Sequence, residues 1–189
     1  MSMLLRRRML MAGKKKWKLY EPLEYLVFDG TKIFDTGVYG NETIHIYTKF
    51  LRTDISGAHY LFGCSSGNRL TGYLSSSGYW RYGSGYPTFN TNSKAVIYGA
   101  TVTPGKTTVG SYTKSFSFSA FTTAFTIPVG GHKPSSGKAT PQFKGYLYYF
   151  KMEKDGEVVV DWIPVRRISD GLECFWDKVT EQFVEPLVL

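Results

Sequence analysis

The chain of 189 residues has only two cysteines, Cys64 and Cys174, and no long apolar run. Two cysteines make no disulfide framework, and both stand in strand-like apolar runs, which favours two buried free thiols over a bridge. No run approaches the roughly 20 apolar residues that a membrane-spanning helix needs. Only four apolar residues separate Arg8 from Gly13, too few for the apolar region of a secretory signal. We therefore expect no membrane span and synthesis in a cytoplasm without export by the general route.

Acidic residues are missing from the first 20 positions, which hold seven basic ones: Arg6, Arg7, Arg8, Lys14, Lys15, Lys16 and Lys18. These seven account for nearly all of the formal net charge of +8, because the other 16 of the 23 basic residues stand against all 15 acidic ones. Blocks of like charge typically act as interaction tails. The sequence therefore predicts a basic arm at residues 1–20 and one domain at residues 21–189.

Helical periodicity is also missing, and from Leu23 onward the apolar period is two. Residues 43–51 place Ile44, Ile46, Thr48 and Phe50 on one face of a strand. Residues 146–152 do the same with Tyr146, Tyr148, Phe150 and Met152, and residues 115–119 alternate around two phenylalanines. Asp155 and Gly156 are a strong hairpin signal, and residues 75–78 and 103–106 are further turn candidates.

Roughly a dozen short strands with frequent turns predict an all-β fold, a two-sheet sandwich or a barrel. The residues expected in its core lie on apolar strand faces or in continuous apolar runs: Phe28, Ile44, Ile46, Phe62, Tyr148, Phe150, Trp162 and Phe175.

Three segments in chain order resemble one known family. Residues 25–37 read YLVFDGTKIFDTG, residues 145–166 contain a hairpin that ends in DWIPV, and residues 170–183 contain GLECFWD followed by a phenylalanine. They resemble the opening strand, late hairpin and terminal strands of concanavalin A-like lectin/glucanase (laminin-G-like) jelly-roll domains. The resemblance implies a two-sheet antiparallel jelly roll over nearly all of the domain.

The short leader rich in Arg and Met at residues 4–9 is similar to those of proteins encoded by tailed phages and prophages. That resemblance implies a virion structural protein, in the tail, a fibre or the head decoration. Such a protein would be synthesised in the host bacterial cytoplasm and located in the virion. It would be present as a homo-oligomer or in multiple copies.

Candidate catalytic and metal-binding groups are sparse. Glycosidases need two carboxylates about 5–10 Å apart, whereas Glu173 and Asp177 on one strand would stand ~13 Å apart. We therefore expect no enzymatic activity and no catalytic residue. The three histidines are scattered, and the early aspartates, Asp29, Asp35 and Asp54, stand in turn-like contexts, where this residue often caps the backbone. Calcium is the alternative that the aspartates leave open, but we expect no metal and no cofactor.

Aromatic residues cluster between residues 73 and 86, and such rings stack on sugars. Strand alternation turns Trp80 and Tyr82 toward the core and leaves the opposite face to their neighbours. The candidate glycan-binding residues are therefore Tyr79, Arg81, Tyr86 and Asn68.

Three partners suit the arm: a groove on a neighbouring protein, nucleic acid, or an anionic membrane surface. Its interleaved Met and Leu residues favour docking on other virion proteins, because apolar side chains fill pockets. The first functional hypothesis is a virion protein that displays a lectin-like β-sandwich anchored through the arm. The alternative is a glycan-binding module that recognises a host cell surface.

Overall fold

The computed structural model describes residues 19–64 and 69–188, with the Arg69 side chain left aside. Within these residues the chain forms eighteen β-strands and no helix, so the predicted all-β class is confirmed. No helix that could cross a membrane occurs in these ranges. The seven basic residues of the predicted arm lie outside them.

One sheet has ten antiparallel strands, numbered in chain order. Eight follow the path β11-β10-β9-β4-β15-β16-β17-β18, while β2 pairs with β15 and β1 with β16. The bounds are β1 (Tyr20–Pro22), β2 (Leu26–Asp29), β4 (His45–Arg52), β9 (Tyr98–Thr103), β10 (Lys106–Val109), β11 (Tyr112–Ser115), β15 (Lys144–Lys154), β16 (Glu157–Arg167), β17 (Glu173–Asp177) and β18 (Gln182–Val184).

The second sheet has six antiparallel strands in the order β3-β12-β5-β6-β7-β8. Their bounds are β3 (Phe34–Asn41), β5 (His59–Cys64), β6 (Arg69–Leu74), β7 (Gly78–Gly83), β8 (Thr88–Phe89) and β12 (Thr122–Val129). A two-stranded ladder of β13 (Gly131–His132) and β14 (Thr140–Pro141) follows β12.

The predicted turns lie between paired strands. Asp155 and Gly156 join β15 to β16, and both have the positive φ that a type I′ turn needs, 54° and 83°. Residues 75–77 join β6 to β7, and Pro104 and Gly105 join β9 to β10.

The two sheets pack face to face as a sandwich, an arrangement compatible with a jelly roll. Aromatic rings fill the space between them: the Phe50 and Trp80 rings lie 6.1 Å apart, and those of Phe62 and Phe150 lie 5.9 Å apart. Seven of the eight predicted core residues are buried: Phe28, Ile44, Ile46, Phe62, Phe150, Trp162 and Phe175.

The prediction for Tyr148 is wrong. A register irregularity lies between Leu147 and Tyr149 in the pairing of β15 with β4. The extra residue of a bulge reverses the alternation, so Phe150 faces the core while Tyr148 stacks edge-on against Tyr25 outside it. The expected strand at residues 115–119 is wrong as well: β11 ends at Ser115, and residues 116–120 form no strand.

Both cysteines are free and buried, as expected from their apolar surroundings. Cys64 ends β5 in the six-stranded sheet, whereas Cys174 lies on β17 in the ten-stranded sheet. Burial raises the pKa of the Cys174 thiol to about 11.

Candidate functional site

The face of the six-stranded sheet that is turned away from the core carries a row of three tyrosines, one from each of three neighbouring strands. Tyr60 on β5 pairs with Tyr73 on β6, and the pairing of Gly72 with Trp80 sets Tyr73 opposite Tyr79 on β7. We call Tyr60, Tyr73 and Tyr79 the tyrosine row. The Tyr73 and Tyr79 rings stack with centroids 4.5 Å apart, and the Tyr60 and Tyr79 hydroxyl oxygens lie 3.2 Å apart.

Arg81 follows Tyr79 by two residues on β7, so it lies next to the tyrosine row on the same face of the sheet. Its guanidinium carbon lies 5.7 Å from the centroid of the Tyr79 ring and 5.5 Å from that of Tyr86. Cation–π contact with two rings limits the freedom of a long side chain that would otherwise sample many rotamers. Tyr86 is 61% exposed, so it remains accessible from solvent.

A tight turn after β7 brings Tyr86 back beside Arg81. Tyr82 and Gly85 exchange backbone hydrogen bonds of 2.9 and 3.1 Å around Gly83 and Ser84. A Cβ atom at Gly85 would stand 2.2 Å from the Phe116 ring, so only glycine fits there. The close approach to Phe116 therefore helps to fix the position of Tyr86 relative to Arg81.

The residues of β7 that alternate with Tyr79 and Arg81 anchor the site in the core. Trp80 and Tyr82 are fully buried, as strand alternation predicts. The Tyr82 hydroxyl donates to the backbone oxygens of Glu42 and Ile44, at 2.7 and 3.0 Å. Because burial disfavours the phenolate, it raises the pKa of Tyr82. These contacts give the exposed residues of β7 a rigid support.

Residues that the sequence did not suggest complete the face. His132 lies on β13, after the chain turns at Gly130, and its ring stacks on Tyr60 with centroids 4.1 Å apart. Burial lowers the pKa of His132. Thr71 pairs with Arg81 across β6 and β7, is 2% exposed, and has no hydrogen-bond partner for its hydroxyl. Position in the sequence gives no hint that Tyr60 meets His132 or that Thr71 lies opposite Arg81.

A groove of about 330 Å³ continues beyond Tyr86 toward the β10–β11 hairpin. Tyr86 and Thr88 line one side, and Lys114 and Ser115 line the other. The ammonium of Lys114 lies 5.5 Å from the centroid of the Phe89 ring. The outer face and the groove beside it thus offer tyrosine hydroxyls, the guanidinium of Arg81 and the ammonium of Lys114.

The structure therefore brings together three of the four candidate glycan-binding residues, Tyr79, Arg81 and Tyr86. The fourth, Asn68, lies outside the described residues, in the connection between β5 and β6.

The carboxylates that the sequence analysis considered as catalytic or calcium-binding groups make local contacts. Asp29, Asp35 and Asp54 each accept a hydrogen bond from a backbone N–H two residues later, the turn-capping role expected for aspartate. Asp177 accepts from the backbone N–H groups of Asp161 and Val179. Among the described residues no group of three or more His, Cys, Asp or Glu side chains could hold a metal ion.

In comparisons with known proteins, no protein-family model matches the chain and no curated protein matches it. The two-sheet antiparallel sandwich therefore stands on the structure, while the concanavalin A-like and phage relationships stay predictions from the sequence.

Proposed function

We propose that this protein binds carbohydrate on the outer face of its six-stranded sheet. The observation that carries the proposal is the position of Arg81 between the Tyr79 and Tyr86 rings, with Tyr86 largely exposed. An exposed aromatic face stacks on the apolar face of a sugar, and guanidinium and phenol groups hydrogen-bond its hydroxyls. The partner that we propose is a glycan of a host cell surface.

Binding of the full chain to a panel of bacterial surface polysaccharides tests this function. Tyr86→Ala should weaken binding by about tenfold or more, since a lost aromatic contact is worth roughly 1 kcal/mol beyond its buried area. Tyr149→Ala is the matched control, because Tyr149 is a partly exposed tyrosine on β15 in the opposite sheet. Equal losses in the two variants would contradict the assignment of the face.

We also propose that the protein is a virion structural component, a tail, fibre or head-decoration protein that displays this domain. The supporting observation is the separation of seven basic residues, within the first 18 positions, from a domain with nearly balanced charge. In this proposal the arm docks on other virion proteins, and the domain is present in multiple copies.

Mass spectrometry of purified particles tests the display function, because it measures presence and copy number. Deletion of residues 1–18 should abolish incorporation. Replacing Arg6, Arg7 and Arg8 by Ala, or Leu4, Leu5 and Leu10 by Ser, should each weaken incorporation if the arm docks in a protein groove. If the deletion variant joins the particle at full occupancy, the arm is not the anchor.

We propose binding without catalysis. Glu173 accepts a 2.9 Å hydrogen bond from Arg166, and Asp177 accepts from two backbone N–H groups, so both carboxylates have local partners. We expect no hydrolysis of polysaccharides that the protein binds. Turnover that disappears in Glu173→Gln or Asp177→Asn would refute this.

A further inference from the structure

The middle of the chain contains no acidic residue. Between Asp54 and Glu153 there are nine Lys or Arg residues and no Asp or Glu, so all 15 acidic residues of the chain lie outside residues 55–152. The near-neutral total of the domain therefore conceals a strong separation of charge along its sequence.

The acid-free segment builds most of the six-stranded sheet and also supplies β9, β10, β11 and most of β15 in the ten-stranded sheet. Residues 55–152 supply β5, β6, β7, β8 and β12, five of the six strands in the six-stranded sheet. The sixth strand, β3, contributes Asp35, whose carboxylate accepts a hydrogen bond from Lys133. The face that carries the tyrosine row is consequently positive, with its one strand carboxylate already engaged by a lysine.

Two cations, Arg81 on this face and Lys114 on the adjoining β10–β11 hairpin, lack a carboxylate partner. Within the described ranges neither Arg81 nor Lys114 forms an ion pair, whereas Arg166 and Arg167 on β16 pair with glutamate or aspartate. Opposite Arg81, the hydroxyl of Thr71 is buried without a partner. A partly buried guanidinium fixed by two rings, next to an unused hydroxyl, is a preformed site for an anionic oxygen group.

Ring geometry favours a glycan over nucleic acid as the source of that anion. Single-stranded nucleic acids bind to protein surfaces by stacking bases on open aromatic faces. Here Tyr73 and Tyr79 cover each other's faces at 4.5 Å, and Tyr60 and His132 do so at 4.1 Å. The largely exposed Tyr86 offers one open ring, enough for a sugar but not the series of open rings on which successive bases stack. Phenol edges are what the row presents, and edges hydrogen-bond hydroxyl groups.

We propose that the glycan bound by this protein is acidic, and that Arg81 binds its anionic group while Lys114 attracts a second one in the neighbouring groove. The inference rests on the proposed carbohydrate-binding function and adds the class of ligand. A uronic-acid carboxylate and a sulfate ester present the same chemistry to a guanidinium, so both polymer types belong in the test.

The experiment uses the full chain with the seven basic residues of positions 1–18 replaced by Gln, because these would attract any polyanion. Binding is measured by affinity electrophoresis with polygalacturonate, its carboxyl-reduced neutral counterpart, dextran sulfate, dextran, and single-stranded DNA. We expect at least tenfold tighter binding to an acidic polymer than to its neutral counterpart, with affinity falling as salt rises.

Three variants assign the effect to Arg81. Arg81→Gln should lose at least tenfold in affinity for the acidic polymer and should flatten the salt dependence, while Arg81→Lys should restore part of the loss. Arg166→Gln is the control, because Arg166 is an arginine on the opposite sheet whose side chain is 47% exposed. Thermal unfolding of each variant verifies that it is folded.

The possible outcomes distinguish failure of the acidic-glycan inference from failure of the proposed carbohydrate-binding function. Equal binding to acidic and neutral polymers, with loss of binding in Tyr86→Ala, would overturn the inference that the ligand is acidic but would leave the carbohydrate-binding function of the face intact. Binding to DNA that exceeds binding to every polysaccharide and depends on Arg81 would overturn both, as would no binding to any polysaccharide from this panel or from bacterial surfaces. An Arg81→Gln loss no larger than that of Arg166→Gln would overturn the role of Arg81.

Discussion

The guanidinium of Arg52 donates from Nη2 to the carbonyl oxygen of Gly57 across 2.8 Å, in a part of the fold where the Arg52 side chain has no exposed surface. Its Nη1 atom lies 3.4 Å from both the Thr91 carbonyl and the Asn92 side-chain oxygen. Burial lowers the pKa of Arg52, against an opposing attraction from Asp54. This buried cation thus ties the loop after β4 to the loop after β8.

Arg52→Met should therefore lower the free energy of unfolding by about 1.5–3 kcal/mol, the cost of removing hydrogen bonds to a charged group. Urea denaturation measures the change. Arg166→Met is the control and should cost about 0–1 kcal/mol, because its ion pairs are largely exposed. Equal losses would mean that Arg52 does not hold the two loops together.

The Trp162 indole lies in an aromatic cluster of the core. Its ring centroid is 5.3 Å from that of Phe175 and 6.0 Å from that of Phe150, and the side chain is 2% exposed. Trp162→Ala should cost about 3–5 kcal/mol in unfolding free energy, from lost burial and the cavity that remains. A measured loss below about 1 kcal/mol would contradict this placement, and Tyr86→Ala should change stability by only about 0.5 kcal/mol.

Local chemistry made the fold predictable. Asp155 and Gly156 combine two residues that tolerate positive φ, and they form the predicted turn. The contact of that turn with Thr43, whose hydroxyl donates to Asp155 at 2.7 Å, was not predictable because the two residues are 112 positions apart. The bulge near Tyr148 was not predictable for a different reason. The alternation rule assumes that successive residues point to opposite faces of the sheet, and nothing in the sequence marks the extra residue of a bulge, which interrupts that pattern.

The candidate site was predictable only in part. Alternation on one strand was enough to separate Tyr79 and Arg81 from Trp80 and Tyr82. The stacking of His132 on Tyr60 depends on how β13 passes β5, which no local pattern encodes. The acid-free segment is visible in the sequence, yet its meaning depends on the topology, which builds five of the six strands of one sheet from it.

The two buried thiols should be nearly unreactive in the native protein. At pH 8 a thiol with a pKa of about 11, as for Cys174, is ionised to only ~0.1%, against roughly a quarter for a free cysteine. We expect Cys174 to react with a thiol reagent at least about 100-fold more slowly than free cysteine. A Cys64→Ser variant isolates Cys174, and denaturant should restore full reactivity. Rapid native-state reaction would show that β17 opens or that the thiol is accessible.

The stability of the domain should decrease as the pH falls below about 6.5, the ordinary pKa of histidine. Burial lowers the pKa of His132, so in the unfolded chain this imidazole takes up a proton at a higher pH than in the folded protein. Because the unfolded state then binds more protons, acidification favours unfolding, and the stability is lost progressively from about pH 6.5 down to the folded-state pKa.

Thermal midpoints between pH 7.5 and pH 5.5 measure this effect, and His132→Phe isolates it. Phenylalanine keeps a ring to stack on Tyr60, whose centroid lies 4.1 Å from that of His132, but it cannot titrate. The wild-type midpoint should fall across this range, and the variant should lose much of that dependence. If both proteins lose the same stability over these two pH units, protonation of another group is responsible, and the buried imidazole does not set the acid limit of the fold.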